Sequence, residues 1–502
     1  CEKDFDQINT NPNQSTEAAT PALLSQAIRD LAYGNHDVWY LCRQSGVTSQ
    51  HVAQRNYTSE DRYSFRSGTT DGFFRNNYIW INNLQKIIEL NTDPATKDKY
   101  AALYGENKMQ IATAKVLQAW VFQMLTDYFG SIPYTQAMNI NEYPQPAYDS
   151  QKTVYDGLIA SMKQAADDLA SSSGGFSEGD LFYNGDVEKW AKLANTIRLR
   201  LALRASKVEA KYLDEAKDAI ADGVLDSSDD NAQCAFSTSG SPNEAPLYNG
   251  FYVSGRNDFT FTAQFMELIK GNNYNLFVNP FKGLRDPRYV VYTTYTTNRN
   301  GVPYGMDDAT TQSWWSKNSA TRVSFYARNP VFLNANFPTT FMDYATVCFM
   351  KSEVNGWDAN LLAEGMQASF DQWGAVDDSH YIDSVMTRFN APGITAEMKK
   401  EIVITQKYIH LWTQSHEAWA EYRRTGYPKS LVKPGQVTAN ISGKDVIFVP
   451  VPGNESGSDI VARFKYPTSE YTLNKANVEQ AVAAMGEDTH KQKVWWAGGG
   501  KQ

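Results

Sequence analysis

Between Met109 and Tyr128 apolar residues return at steps of three and four: Met109, Ala112, Val116, Trp120 and Met124 mark one line, which Val121, Leu125 and Tyr128 widen. That spacing fits the 3.6-residue turn of an α-helix and predicts one long amphipathic helix. Comparable patterns occupy 23–40, 73–90, 154–169, 187–204 and 213–220, and they are joined by short stretches rich in Gly, Pro, Asn or Ser, such as 171–175. Helices of this length on short links fold back as antiparallel hairpins, and stacked hairpins build a solenoid-like scaffold. No strict internal repeat carries the signature residues of a known helical repeat. The expected fold class is therefore all-α.

Residues 223–340 interrupt the helical pattern. They carry Gly, Ser, Pro and Asn clusters at 237–246 and 271–275, an alternating stretch at 289–295 and the aromatic pair Trp314-Trp315. This reads as a loop-rich insertion with a few short strands. Helical periodicity returns at 341–353, 360–373 and 398–423, and 435–451 reads as a hairpin. Helices on either side of the insertion are expected to pack on each other. Residues 1–20 are polar and rich in turn formers, so they read as a tether and 21–502 as a single helical domain. The sequence opens on Cys1 followed by Glu2-Lys3-Asp4, the pattern of a processed bacterial lipoprotein. Acyl chains on Cys1 would anchor it stably, since each buried methylene is worth about 0.8 kcal/mol. No apolar run of about 18 residues is present to cross a bilayer as a helix.

The net charge of −9 and isoelectric point of 5.3 leave no basic excess with which to neutralise phosphates, so nucleic acid is not an expected partner. Cys42, Cys234 and Cys348 show no paired spacing that would make a zinc knuckle; Cys348 reads as a buried small hydrophobe, and a Cys42–Cys234 bond stays open. His410 and His416 are six positions apart, not the four that would place two imidazoles on one helix face around zinc, and they read as surface or capped histidines. No G-x-S-x-G elbow and no phosphate loop occur. The acidic pairs Asp167-Asp168, Asp229-Asp230 and Asp377-Asp378 could serve a glycosidase, but adjacent acids in polar stretches are more often solvated. No catalytic residue is assigned. No cofactor is called for, although an oxygen-rich cluster could hold calcium; no EF-hand loop is present.

Aromatic residues make up 13% of the chain, including 12 Trp and 29 Tyr, more than core packing calls for. A flat indole stacks on the C–H face of a pyranose, while neighbouring Asn, Gln and Arg bond hydroxyls or peptide groups. Trp314 and Trp315 sit in a polar setting and are expected to be exposed. Tyr304 in the insertion joins them as a candidate ligand contact, with Arg256 as the guanidinium donor. Trp39 and Trp80 are further candidates, though helical periodicity makes each of them more readily a scaffold plug.

Several blocks resemble the SusD/RagB family, in its SusD-like branch. They are Asp6-Gln7-Ile8-Asn9-Thr10-Asn11-Pro12-Asn13; Leu125-Thr126-Asp127-Tyr128-Phe129-Gly130-Ser131-Ile132-Pro133-Tyr134; Tyr183-Asn184-Gly185-Asp186-Val187-Glu188-Lys189-Trp190 leading to Arg198-Leu199-Arg200; Glu417-Ala418-Trp419-Ala420-Glu421-Tyr422-Arg423-Arg424-Thr425-Gly426-Tyr427-Pro428; and Tyr466-Pro467-Thr468-Ser469-Glu470-Tyr471 with Asn474-Lys475-Ala476-Asn477. They run in order along nearly the whole chain and are specific together. The resemblance implies tetratricopeptide-like helix pairs, a lipid on Cys1, and display on the outer face of the outer membrane. It also implies a partner, a SusC-like TonB-dependent transporter barrel to which the protein hands oligosaccharide or, alternatively, peptide. A surface glycoside hydrolase is the remaining alternative. The matching blocks look structural; the ligand site of this family lies in variable loops, so the aromatic candidates rest on their own chemistry.

Overall fold

The computed structural model describes residues 18–325 and 330–499. Cys1, most of the expected tether, the 6–13 block and the last residues of the tail lie outside them. The long periodic segment is the helix Asn107–Phe129, on which nearly every residue after Gln110 is buried. Such a helix has no polar face because it is covered on several sides: Ser67–Thr92 packs on one flank and Gln151–Ala170 on another. The succession continues with Gln151–Ala170 on Val187–Ala205, and Val187–Ala205 on Lys211–Asp222. Each helix thus lies beside its neighbours in sequence, the geometry of a solenoid of hairpins. Past the insertion, Tyr344–Val354 packs on Ala359–Trp373 and on Ala396–His410, and it also touches Val187–Ala205 and Lys211–Asp222. The helices before and after the insertion therefore meet, and Trp120 Nε1 donates to the Phe341 carbonyl at 3.1 Å across that junction.

Charged groups seal the junction. Asp127 accepts from Arg204 at 2.5 Å and from Trp496 Nε1 at 2.8 Å; Glu417 takes Arg204 and Arg200, the latter at 3.3 Å. Glu421 takes Lys407 at 3.0 Å and Arg424 at 2.7 Å, and Arg424 reaches Glu353 with two bonds of 2.7 Å. Burial alone would raise the Glu417 carboxyl, but Arg200 and Arg204 outweigh it and hold the group at about 2.

The strands are short and paired in twos. Val52–Gln54 runs antiparallel to Phe259–Phe261, with Val52 opposite Phe261, and Ala232–Cys234 pairs with Thr339–Met342. The expected hairpin is present as Val437–Ile441 and Lys444–Ile447.

Several expectations change. The first helix is Thr20–Gly34, not 23–40. A Cβ at Gly34 would sit 2.0 Å from the Trp80 indole, and the chain then rewinds as a wide π-helical turn, Val38–Gly46. The alternating 289–295 stretch forms a helix, Arg288–Thr293, and 398–423 is broken by a 3-10 turn at Trp412–Gln414. Phe341 belongs to a strand, and the helix after it starts beyond Asp343, whose carboxylate caps Thr346 N–H. Cys42 and Cys234 are buried and free, so the open disulfide is not formed. His410 and His416 are buried in the core rather than at the surface. Asp230 is likewise buried and paired with Lys192 at 3.0 Å.

Candidate functional site

The π-helical turn Val38–Gly46 starts from Asp37, whose carboxylate accepts the Trp39 and Tyr40 amides at 2.8 Å. Widening a turn by one residue per hydrogen bond re-aims side chains, and such turns recur at functional sites. Here it presents Trp39, half-buried, to two guanidinium groups: Arg43 lies 4.3 Å and Arg256 5.0 Å from its ring centroid. A second π turn, Asn249–Val253, leads into Arg256 and presses on the first, because Gly250 lies so near Val38 that a Cβ there would be 2.5 Å from Cγ1. Tyr248 and Tyr252, with rings 5.4 Å apart, flank this contact point in sequence.

The strand pair brings in the next residues. Arg55 follows Val52–Gln54, donates to the Asn257 carbonyl at 2.6 Å and to Asn257 Oδ1 at 2.7 Å, and lies 5.0 Å from the Trp315 centroid. Arg322 covers Trp315 at 3.9 Å and donates to its carbonyl oxygen. Trp314 and Trp315 lie on a helix, Asp308–Lys317, that begins where Asp307 accepts the Thr310 amide at 2.9 Å. Gln312 of that helix donates to the Arg55 carbonyl at 3.2 Å and to Asn56. Tyr57, at φ +58° and 61% exposed, stands over the same turn, its amide held by Asp308 at 2.8 Å. The result is a continuous face running from Trp39 through Arg256 and Arg55 to Trp315 and Arg322.

Trp39, Arg256 and Trp315 are therefore brought to one face, and Trp314 lies beside Trp315 on the same helix, but in different states. Trp314 is half-buried, whereas Trp315 is only 8% exposed, contrary to the expectation of an exposed pair. Thr311 and Trp315, one helical turn apart, form the buried side of a short helix whose other positions are exposed or half-buried. Tyr304 is fully buried with its ring 5.4 Å from Phe448, so it offers no face to a ligand. Trp80 stays on the helix Ser67–Thr92 against Gly34 and Tyr40 and does not join the face. Arg43, Arg55, Tyr57, Gln312 and Arg322 are contributors that the sequence reading did not select. The polar turn Arg55-Asn56-Tyr57-Thr58, with an aromatic at its tip, was the available signal.

One arrangement has the residue types of a hydrolase. Ser369 Oγ lies 2.8 Å from His410 Nδ1, and His410 Nε2 lies 3.0 Å from Asp343. All of it is shut in the core, and Arg288 donates to the Ser369 hydroxyl at 2.9 Å, so no reacting carbonyl can approach. Burial raises the Asp343 carboxyl, His410 more than offsets it, and the group stays far below the usual carboxylate range. Among the described residues no cluster of three or more His, Cys, Asp or Glu could hold a metal ion, and no helix is long and apolar enough to cross a membrane.

The family model described as "Starch-binding associating with outer membrane" matches residues 12–449. No relative is found among curated proteins. Among solved structures, a chitin-binding protein is 25% identical with a TM-score of 0.74, covering 95% of this chain and 99% of that one. A chitin-binding SusD homologue from Flavobacterium johnsoniae is 23% identical with a TM-score of 0.73, covering 94% and 98%. A SusD homologue from Bacteroides uniformis is 23% identical with a TM-score of 0.72, covering 95% and 99%. These last two likenesses concern the fold.

Proposed function

The chain belongs to the SusD/RagB family, and on that premise we propose that it is a lipoprotein, anchored through Cys1 and displayed on the outer face of the outer membrane, that binds an oligosaccharide without cleaving it. It hands the sugar to a SusC-like TonB-dependent transporter. Residues 1–20 serve as the tether and 21–502 as one helical unit, with 223–340 supplying much of the binding face. The observation that carries this reading is the meeting of Trp39 with Arg256 and of Tyr57 with the helix that bears Trp314, from segments far apart in sequence. Aromatic rings beside planar donors suit a pyranose, whose C–H faces stack while its hydroxyls bond. The printed name of the 25% identical relative, a chitin-binding protein, points to the same class of ligand.

The test is calorimetry of the chain against a panel of oligosaccharides and peptides, with chromatography of the recovered ligand and a Trp314→Ala variant beside the parent. Binding of sugars, recovered intact and weakened at least ~10-fold by the substitution, is the expected outcome. Peptide binding alone would replace the ligand class, and shortened sugars would restore the hydrolase reading.

A further inference from the structure

Of the arginines on this face Arg43 is paired with Glu60, whereas Arg55, Arg256 and Arg322 differ from the ion-paired Arg204, Arg288, Arg424 and Arg463 of the helical scaffold. Arg55, Arg256 and Arg322 make no ion pair with any described carboxylate. The nearby acids are otherwise placed. Glu60 is fully buried and already shared by Arg43 at 3.6 Å and Arg66 at 3.1 Å; Asp258, 9% exposed and accepting from Asn56 at 3.4 Å, attracts Arg55 without pairing with it, and Asp308 accepts the Tyr57 amide at 2.8 Å. In a chain of net charge −9 this leaves three guanidinium groups on one face with only the partial offset that Asp258 gives Arg55. Arg322 and Arg55 repel each other, and burial with that repulsion lowers the Arg322 guanidinium. An arrangement of like charges held together at such a cost suits a ligand that brings the opposite charge.

The indoles point the same way. Trp315 is nearly buried and covered by Arg322 and Arg55, while Trp39 carries Arg43 and Arg256, so guanidinium groups occupy positions over ring faces that a neutral pyranose would need. A guanidinium lying on an indole is pre-oriented, and its planar fork matches a carboxylate or sulfate. Tyr57, well exposed, and Trp314, half-buried, leave aromatic surface to stack on sugar.

We propose that the ligand of this face is an acidic oligosaccharide, whose carboxylate or sulfate groups engage Arg55, Arg256 and Arg322 while its sugar rings rest on Tyr57 and Trp314. This rests on the glycan-binding reading and narrows it.

The experiment is calorimetry of the full chain with an oligogalacturonide, a sulfated oligosaccharide and neutral malto- and chito-oligosaccharides of matched length, at low and high salt. Arg256→Gln and Arg322→Gln are run beside the parent, with thermal melts confirming that each is folded. The inference expects the uronate, the sulfate or both to bind at least ~10-fold tighter than the neutral sugars. That preference should shrink as salt screens it and disappear in both variants. Whichever acidic probe binds identifies the oxyanion. Neutral sugars binding as tightly as acidic ones, with no salt dependence, overturn the inference and leave glycan capture intact. No binding by any sugar overturns both.

Discussion

Arginine is used in opposite ways in two regions of this molecule. In the helical scaffold, Arg204, Arg288, Arg424 and Arg463 are buried and each meets a carboxylate at 2.7 Å or less, supplied by Asp127, Asp286, Glu353 and Asp488 among others. On the aromatic face, Arg55, Arg256 and Arg322 lie on tryptophans and make no ion pair with any described carboxylate. The scaffold four are paired within the protein, whereas the three on the face form no ion pair with a described carboxylate. On the proposed reading the protein supplies the anion for these scaffold arginines, whereas a ligand supplies it on the face.

The largest expected effect belongs to the scaffold and comes from acid. His36 and His51 are buried neutral, and burial lowers both to about 3; His416 is lowered to about 4 for the same reason. Because these values lie below 6.5, the unfolded chain takes up the protons first. Their contribution is therefore complete above that pH and is lost as pH falls toward the folded values. Each group contributes about 1.4 kcal/mol per pH unit in that window, on the order of 4 kcal/mol per unit for the three together. Glu417 adds a further loss only below its ordinary 4.5, since its folded value is depressed. His490, lowered to about 4 by burial, adds to the imidazole loss. Buried Asp37, raised to about 7, and buried Asp61, also raised, hold protons in the folded state and offset part of it. Urea midpoints measured from pH 7 down to about pH 5 should therefore drop, by less than the imidazoles alone would give. A flat profile would mean that these imidazoles are not dry. The face contains no histidine among its contacts, so its positive charge should persist through the same window.

Next comes the removal of one internal counter-ion. Glu417→Gln leaves Arg200 and Arg204 short of an anion in a dry interior and is expected to cost about 3–5 kcal/mol in urea unfolding. A loss under about 1 kcal/mol would show that the network is wet and would dissolve the contrast with the face.

How far these regions were legible in sequence follows from the length of their patterns. The helices were readable because each repeats its apolar spacing over several turns, as in Asn107–Phe129. Their ends were less so: Gly34 is set by a distant Trp80, and the 3-10 break at 412–414 leaves no gap in the apolar pattern. Trp315 is buried where its polar neighbours predict exposure, because its buried stripe is only Thr311 and Trp315, too short to register as a period. The meeting of Trp39 with Arg256 depends on three-residue strands and on two π turns touching through Gly250, none of which has a sequence signature. Tyr304 looked like a loop aromatic and proved to be core because Phe448, far along the chain, packs on it.

Gly250 links the two regions and gives the third prediction. A methyl group there would collide with Val38, at 2.5 Å from Cγ1, and push the π turn that carries Trp39 and Arg43. Gly250→Ala is expected to lose about 1–3 kcal/mol of stability, as overpacking does, and to weaken ligand binding as well. Reduced stability with full affinity would mean that Trp39 is held by something other than this contact.

The smallest expected effect on stability is the sharpest for the comparison. Arg256 is exposed, and its guanidinium contacts the Trp39 ring and no carboxylate. A cation over an exposed ring contributes about 0.5–1 kcal/mol, and the side-chain freedom regained on removing it offsets part of that. Arg256→Gln should therefore change urea stability by no more than about 0.5 kcal/mol. If instead it destabilised the fold as Glu417→Gln does, Arg256 would belong with the scaffold arginines, closed by a partner within the protein. An unchanged fold leaves the charge of Arg256 free for a ligand, which is what separates the two uses of this side chain.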